Sequence, residues 1–198
     1  MVSALVIVAH PDDETIWMGG TILKNKDLDW TILSLCRKDD ADRAPKFKKV
    51  CQYYNARPII SDLDDKKLKP LSEKEVIKKI KSNLPRKTYD YIFTHGENGE
   101  YGHIRHKEIH KAVKKMIKNK DLVPKEFFCF AYLYGTKSTP GIPNLKLPEI
   151  NQEADLIIEL NNELHLNKVK IVTDIYGFSK ESFEALSCNK KEAFTREK

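Results

Sequence analysis

Short apolar runs recur along the chain, separated by stretches whose apolar residues return every three or four positions. Ala4-Leu5-Val6-Ile7-Val8-Ala9 is continuous and rich in β-branched residues, which predicts a strand buried on both faces. From Thr15 to Asn25 the spacing is helical, with Ile16, Gly19, Gly20 and Leu23 on a face that can approach a sheet closely. Asp29 to Cys36 predicts a second strand. Arg43 to Asn55 predicts a helix with Phe47, Val50, Cys51 and Tyr54 on one stripe and Asn55 as a left-handed stop. Pro58-Ile59-Ile60 is a short third strand, and Ser72 to Leu84 a helix opened by a Ser-x-x-Glu capping box.

Tyr89 to Thr94 predicts a fourth strand and Ile104 to Asn119 a helix with Ile109, Val113, Met116 and Ile117 inward. Two further strands are expected at Phe127 to Tyr134 and Asp155 to Leu160, and a closing helix at Leu166 to Tyr176. Residues 136–154 contain Pro140, Gly141, Pro143 and Pro148 without periodicity, the signature of a long loop of the lid or binding-rim kind. Residues 187–198 are polar and read as a frayed tail. Strands alternating with helices imply parallel βαβ units, hence an α/β fold: a three-layer α/β/α sandwich, Rossmann-like, on a mostly parallel sheet. The 198 residues fit one domain, 1–198, large enough to bury a core without metal or disulfide staples.

Charge and cysteine content narrow the function classes. Lys and Arg number 35 against 29 Asp and Glu, a net charge of +6. The lysines fall mainly in mixed-sign stretches such as Ser72 to Glu75 and Asn189 to Glu192, which read as solvated faces, and no basic cluster is interleaved with aromatics. No nucleic-acid partner is expected. The longest apolar run is far short of the ~20 residues that cross a bilayer. It leads straight into His10-Pro11-Asp12-Asp13 with no basic stretch before it, so no signal peptide is read and a cytoplasmic location is expected. Cys36, Cys51, Cys129 and Cys188 form no CxxC pair; Cys36 and Cys129 sit in apolar runs as small core residues.

The chemistry gathers in two segments. His10-Pro11-Asp12-Asp13-Glu14 follows the first strand, and His95 to His106 follows the fourth and runs into a helix. In an open α/β sheet, sites form outside the carboxyl ends of the strands, so both loops open on one edge. Imidazole and carboxylate are zinc-type ligands, and three of them leave a fourth position for water. Two adjacent carboxylates cannot both reach one ion from a tight turn; one can bind it while the other faces the water as a proton acceptor. His103 and His106, three apart at a helix start, share a face. One can complete the coordination while the other stands beside a reacting carbonyl. An isolated His-Pro-Asp turn is more often a hydrogen-bonded loop than a site, but two such clusters at one sheet edge favour a hydrolytic metal centre.

Ala9 to Glu14 (AHPDDE) after the first strand, with Tyr101 to His106 (YGHIRH) later, resembles the PIG-L or LmbE-like family of metal-dependent de-N-acetylases. The resemblance covers about Ala4 to Ile109. It implies a hydrolase that removes the N-acetyl group from an N-acetylglucosamine-type conjugate, using Zn2+, with Fe2+ possible in the same ligands. It also implies that His10, Asp13 and His106 hold the metal, that Asp12 is the general base, and that His103 stabilises the oxyanion or protonates the leaving amine. Tyr101 contacts the reacting group, and Arg43 binds the sugar or its aglycone. The substrate is then a small-molecule, lipid-linked or nucleotide-linked amino sugar. The pattern departs at Arg105, where many members carry an aspartate that orients the neighbouring histidine; a later family histidine has no match, His165 and Tyr176 lying nearest.

Lesser candidates have bland readings beside the functional ones. Glu14 either supports a ligand imidazole or opens the helix. His95 either lines the pocket or is structural, His110 belongs to the helix surface or core edge, and Asp62, Asp64 and Asp65 form a solvated acidic turn in which Asp65 can face a sugar hydroxyl. Two other functions fit the same residues: a hydrolase of a non-sugar amide or ester, and a non-catalytic Rossmann-like binding module.

Overall fold

The computed structural model describes residues 1–197. Its elements run β1 (Ser3–Val8), α1 (Asp13–Lys24), β2 (Asp29–Ser34), α2 (Arg43–Tyr53), β3 (Arg57–Ile60), α3 (Glu73–Asn83), β4 (Thr88–Thr94), α4 (Gly99–Gly102), α5 (Ile104–Lys118) and β5 (Val123–Phe130). The short strands β6 (Tyr132–Leu133), β7 (Ser138–Thr139), β8 (Ile142–Lys146) and β9 (Glu149–Ile150) follow. Then come β10 (Leu156–Glu159), α6 (Asn162–Lys170), a π-helical turn at Ile171–Ile175, α7 (Phe183–Leu186) and β11 (Lys191–Glu197).

Seven strands form the central sheet in the order β10-β11-β5-β4-β1-β2-β3. Strands β1 to β5 are mutually parallel, and β11 runs antiparallel to both neighbours. The alternation of β1 builds the three layers. Ala4, Val6 and Val8 pack with Ile16 and Trp17 of α1 and Phe47 and Val50 of α2. Leu5 and Ile7 pack on the other face with Val76 and Ile80 of α3 and Ile109 and Val113 of α5. From β1 the chain winds outward through β2 and β3, then returns to place β4 on β1's other side. The loops leaving β1 and β4 therefore diverge at a topological switch point, where doubly wound sheets open a crevice.

Local chemistry explains the element ends. Ser72 and Glu75 form the expected capping box, and Asn55 takes the left-handed stop with φ 57. All four cysteines are buried and free. Helix α1 departs from the expected smooth helix: Met18 is non-helical (φ −148, ψ 18), so two half-helices meet there. The break frees the amides of Gly20 and Thr21, and both donate to the buried Glu192 carboxylate at 2.8 and 2.7 Å. Lys168, also fully buried, neutralises Glu192 through Nζ at 2.8 Å. A Cβ on Gly20 would lie 2.4 Å from the Leu160 methyls, so any larger residue at this crossing would have to displace the buried Leu160 side chain.

Two expectations are corrected. The polar stretch read as a frayed tail over 187–198 supplies β11, paired on both sides, with Ala193 and Phe194 buried in the core and Glu192 on the amides that the α1 break exposes. The stretch 136–154 is not structureless: β7 pairs with β8, and β9 pairs with β6, which itself splits off from the single strand expected to Tyr134. Among the described residues, no helix is long and apolar enough to cross a membrane.

Candidate active site

The two loops predicted to share an edge do meet. The β1–α1 turn brings His10 and Asp12, and the first turn of α1 brings Asp13. Strand β4 leads through α4 to His103 and to His106 on α5. His10 Nδ1, Asp13 Oδ2 and His106 Nε2 stand 3.2, 3.4 and 3.4 Å apart. A tetrahedral ion with bonds of about 2.0–2.1 Å spaces its ligand atoms by about 3.3–3.4 Å, so these three atoms fit one face of zinc's coordination shell.

The other atoms of the trio are spoken for, which fixes the orientation. Asp13 Oδ1 accepts from Trp17 Nε1 at 3.0 Å, and Asp13 Oδ2 also accepts the His10 amide. His10 Nε2 faces Asp65 Oδ1 at 3.2 Å, and His106 Nδ1 meets Glu100 Oε2 at 2.5 Å. His106 is thus hydrogen-bonded from behind by a carboxylate, the arrangement that sets tautomer and ring plane at metal sites, while Asp65 stands close behind His10 with its Oδ1 making no hydrogen bond. Burial opposes a charged His10, but Asp13 and Asp65 outweigh it and hold its pKa up to about 9. For His106 burial is likewise overcome, by Asp13 and Glu100, and the value rises to about 10. Burial alone would raise Asp13, yet His106 and His10 hold it well below the carboxylate range. Three carboxylates around two imidazoles make a cradle that calls for positive charge, and a cation would take the place of those protons.

His95 is excluded as a ligand. Its Nε2 accepts the Ala9 amide at 2.9 Å, so its proton sits on Nδ1 and goes to Glu100 Oε2, also at 2.9 Å. The ring is fully buried and stacks on His106 with centroids 3.8 Å apart, so it backs the site rather than lining the pocket. His110 is buried as well and pairs its Nδ1 with the His95 carbonyl at 2.9 Å.

Asp12 stands beside the trio without joining it. Its φ of 120 is a strained conformation for a non-glycine residue, of the kind that clusters at functional sites. Glu14 helps to hold it: the Asp12 amide donates to Glu14 Oε2 at 3.1 Å, and Glu14 Oε1 accepts from Thr15 and Tyr176 hydroxyls. Burial lifts Glu14 to about 7. Burial, then the neighbouring Asp13 charge, raises Asp12 well above its ordinary value against the pull of Arg43. Arg43 Nη1 lies 2.5 Å from Asp12 Oδ2, and its guanidinium stacks over Phe178 at 4.2 Å.

In front lies a cavity of about 200 Å³ bounded by Asp12, Trp17, Arg43, Tyr101, His103 and Phe183. The Tyr101 ring packs edge-on to Phe183 with centroids 4.7 Å apart. His103 sits 4.8 Å, ring to ring, from both His10 and His106. Its Nδ1 is buried without a hydrogen-bond partner. Burial, then the charges of His106 and His10, pushes it down to about 3.

Every residue expected at the site is therefore gathered there. Sequence reasoning missed Glu100, Trp17 and Phe183, and placed Asp65 among solvated acids although it is buried against His10. A Glu between two glycines (Gly99-Glu100-Tyr101-Gly102) hints at a tight backbone, and Glu100 indeed has φ 56, but nothing in the string says which histidines it bridges.

The fold and the site together define a Rossmann-like α/β protein with a cluster of nitrogen and oxygen donors at its switch point and an Arg43-paired carboxylate, Asp12, beside it. Residues 5–117 match the GlcNAc-PI de-N-acetylase (PIG-L) family, and the chain belongs to that family. A protein of Acanthamoeba polyphaga mimivirus is 25% identical over 186 residues, covering 84% of this chain and 79% of the relative. Two solved structures share the fold. A conserved protein from Thermus thermophilus superposes with a TM-score of 0.69 at 14% identity, covering 98% of this chain and 94% of that one. The N,N'-diacetylchitobiose deacetylase from Pyrococcus horikoshii does so at 0.70 and 17%, covering 98% and 83%.

Proposed function

We propose that the protein is a metal-dependent hydrolase that removes the N-acetyl group from an amino-sugar conjugate of the N-acetylglucosamine type. The observation that carries this reading is the triangle of His10, Asp13 and His106 with Asp12 beside it and a cavity in front. Family membership supports the bond and substrate class. His10, Asp13 and His106 would hold Zn2+, or Fe2+ in the same donors, which supplies a polarised acyl carbonyl and an acidified water.

The chain's own residues do the rest. Asp12, raised by burial, is a better proton acceptor than an ordinary aspartate; it takes the proton of the attacking water and returns it to the amide nitrogen as the C–N bond breaks, so that acetate and the free amine leave. Arg43 holds the Asp12 carboxylate in place and presents the remainder of its guanidinium to the sugar or its aglycone. Tyr101 and His103 border the same cavity and donate hydrogen bonds to the oxygen that gains charge. Trp17 and Phe183 give the acetyl methyl an apolar wall.

The deciding experiment measures acetate release from a panel of N-acetylhexosamines and their conjugates alongside simple amides and esters, with metal content determined on the same preparation. Release confined to the sugars supports the proposal. Release confined to simple amides or esters moves the substrate class, and a metal-free protein with no turnover on any of them leaves a binding module.

A further inference from the structure

We propose that Arg105 is a positioning residue for the metal centre, acting through the 61–71 loop and Asp65 on His10. The inference rests on the proposed ligand set of His10, Asp13 and His106. Arg105 precedes His106 on α5, yet its side chain turns away from the cavity and is fully buried. Its Nε donates to the Asp64 carbonyl at 2.6 Å and its Nη1 to Glu108 Oε2 at 2.7 Å. The other oxygen of Glu108 accepts the Leu71 amide at 2.7 Å. Arg105 and Glu108 thus grip the loop at two points, and between those points lies Asp65.

The loop needs such a grip. It joins β3 to α3 without regular structure; Ser61 and Leu63 are tied by their amides to the Ser34 and Leu35 carbonyls, and beyond them Arg105 and Glu108 take the Asp64 carbonyl and the Leu71 amide. Asp65 is nonetheless buried, with Oδ1 3.2 Å from His10 Nε2 and Oδ2 accepting from Arg37 at 2.8 Å. A carboxylate behind a ligand imidazole works only while it is held in register with the ring. One turn of α5 therefore aims His106 at the centre and, on its opposite side, fixes the loop that aims His10. The two ligands share a single reference element despite coming from different strands.

Arg105 makes no hydrogen bond to His103, whose Nδ1 is left without a partner. The residue supports the first ligand histidine instead of the neighbouring one. Lysine could keep the buried charge but not the two-armed fork that reaches a carbonyl and a carboxylate together.

The test is a double-mutant cycle read as apparent affinity for Zn2+ by chelator competition, with the Co2+ absorption spectrum as a second readout. Arg105→Lys should weaken binding by about tenfold, the effect usual for losing support behind a ligand, and should alter the Co2+ spectrum. In an Asp65→Asn background the same change should cost nothing further, because its route is already cut. Equal losses in both backgrounds, or none in either, would overturn the inference. Should Arg105→Lys fail to fold, Glu108→Gln takes its place in the same cycle, and the same two outcomes decide. A wild-type protein that binds neither ion removes the functional proposal itself; wild-type binding with an indifferent Arg105→Lys removes only this inference.

Discussion

His10 Nδ1 and His106 Nε2 face each other across 3.4 Å although 96 positions separate them in the chain. Strand pairing is the cause: β1 and β4 lie side by side and parallel, in register from Ala4 opposite Tyr91 to Ile7 opposite Thr94, so both loops leave the sheet at one place. If the pair holds a cation, His10→Ala and His106→Ala should each leave the purified protein with most of its metal missing by elemental analysis. Full occupancy in either variant would contradict the assignment.

Asp12→Asn separates binding from chemistry. Asparagine tolerates a positive φ better than most residues, so the strained turn should survive the change. Metal content should stay at the wild-type level while kcat falls by about 10²–10⁴-fold, the range for losing a positioned base. Unchanged turnover would take Asp12 out of the proton-transfer step.

Glu14 carries no reacting atom in this scheme but holds the Asp12 amide and is itself held by Tyr176. Losing one hydrogen bond to a charged group costs about 1.5–3 kcal/mol. Glu14→Ala should therefore lower kcat by about tenfold or more with metal content retained. A fall in metal content equal to the fall in kcat would instead place Glu14 in support of the ligands.

Arg43→Met tests the contact between guanidinium and base. With its ion-pair partner removed, Asp12 should stay protonated to higher pH, because a cation that lowered its pKa is gone and burial remains. The acid limb of the kcat/KM profile should move upward in pH, and KM for sugar substrates should rise. An unmoved limb would show that the pair does not govern Asp12.

The buried pair of Lys168 and Glu192 gives a prediction about the fold. Removing one partner of a buried, hydrogen-bonded ion pair typically costs about 3–5 kcal/mol, because the other charge is stranded. Glu192→Ala also uncaps Gly20 and Thr21 at the break in α1. Thermal unfolding should shift down by more than about 5 °C, and a change within error would refute the capping role.

The alternation of strand and helix, the buried central strand, the capped α3 and both site loops were legible in the chain because each depends on neighbours in sequence. Apolar periodicity reports which side of an element is covered, and covering is decided within a few residues. The AHPDDE and YGHIRH strings likewise carry the histidines and carboxylates of the candidate site locally.

Tertiary structure alone decided the rest. Lys191 to Glu197 is polar apart from Ala193 and Phe194, yet it becomes an inner strand in which both are fully buried and Glu192 finds two free amides and a lysine from elements far away in sequence. Asp65 and Glu100 look like surface acids until His10 and His106 are set before them, and Arg105 like a surface base until Asp64 and Glu108 receive it. A charged side chain is buried only where its partners are, and partners brought by loop closure leave no periodic trace in the sequence.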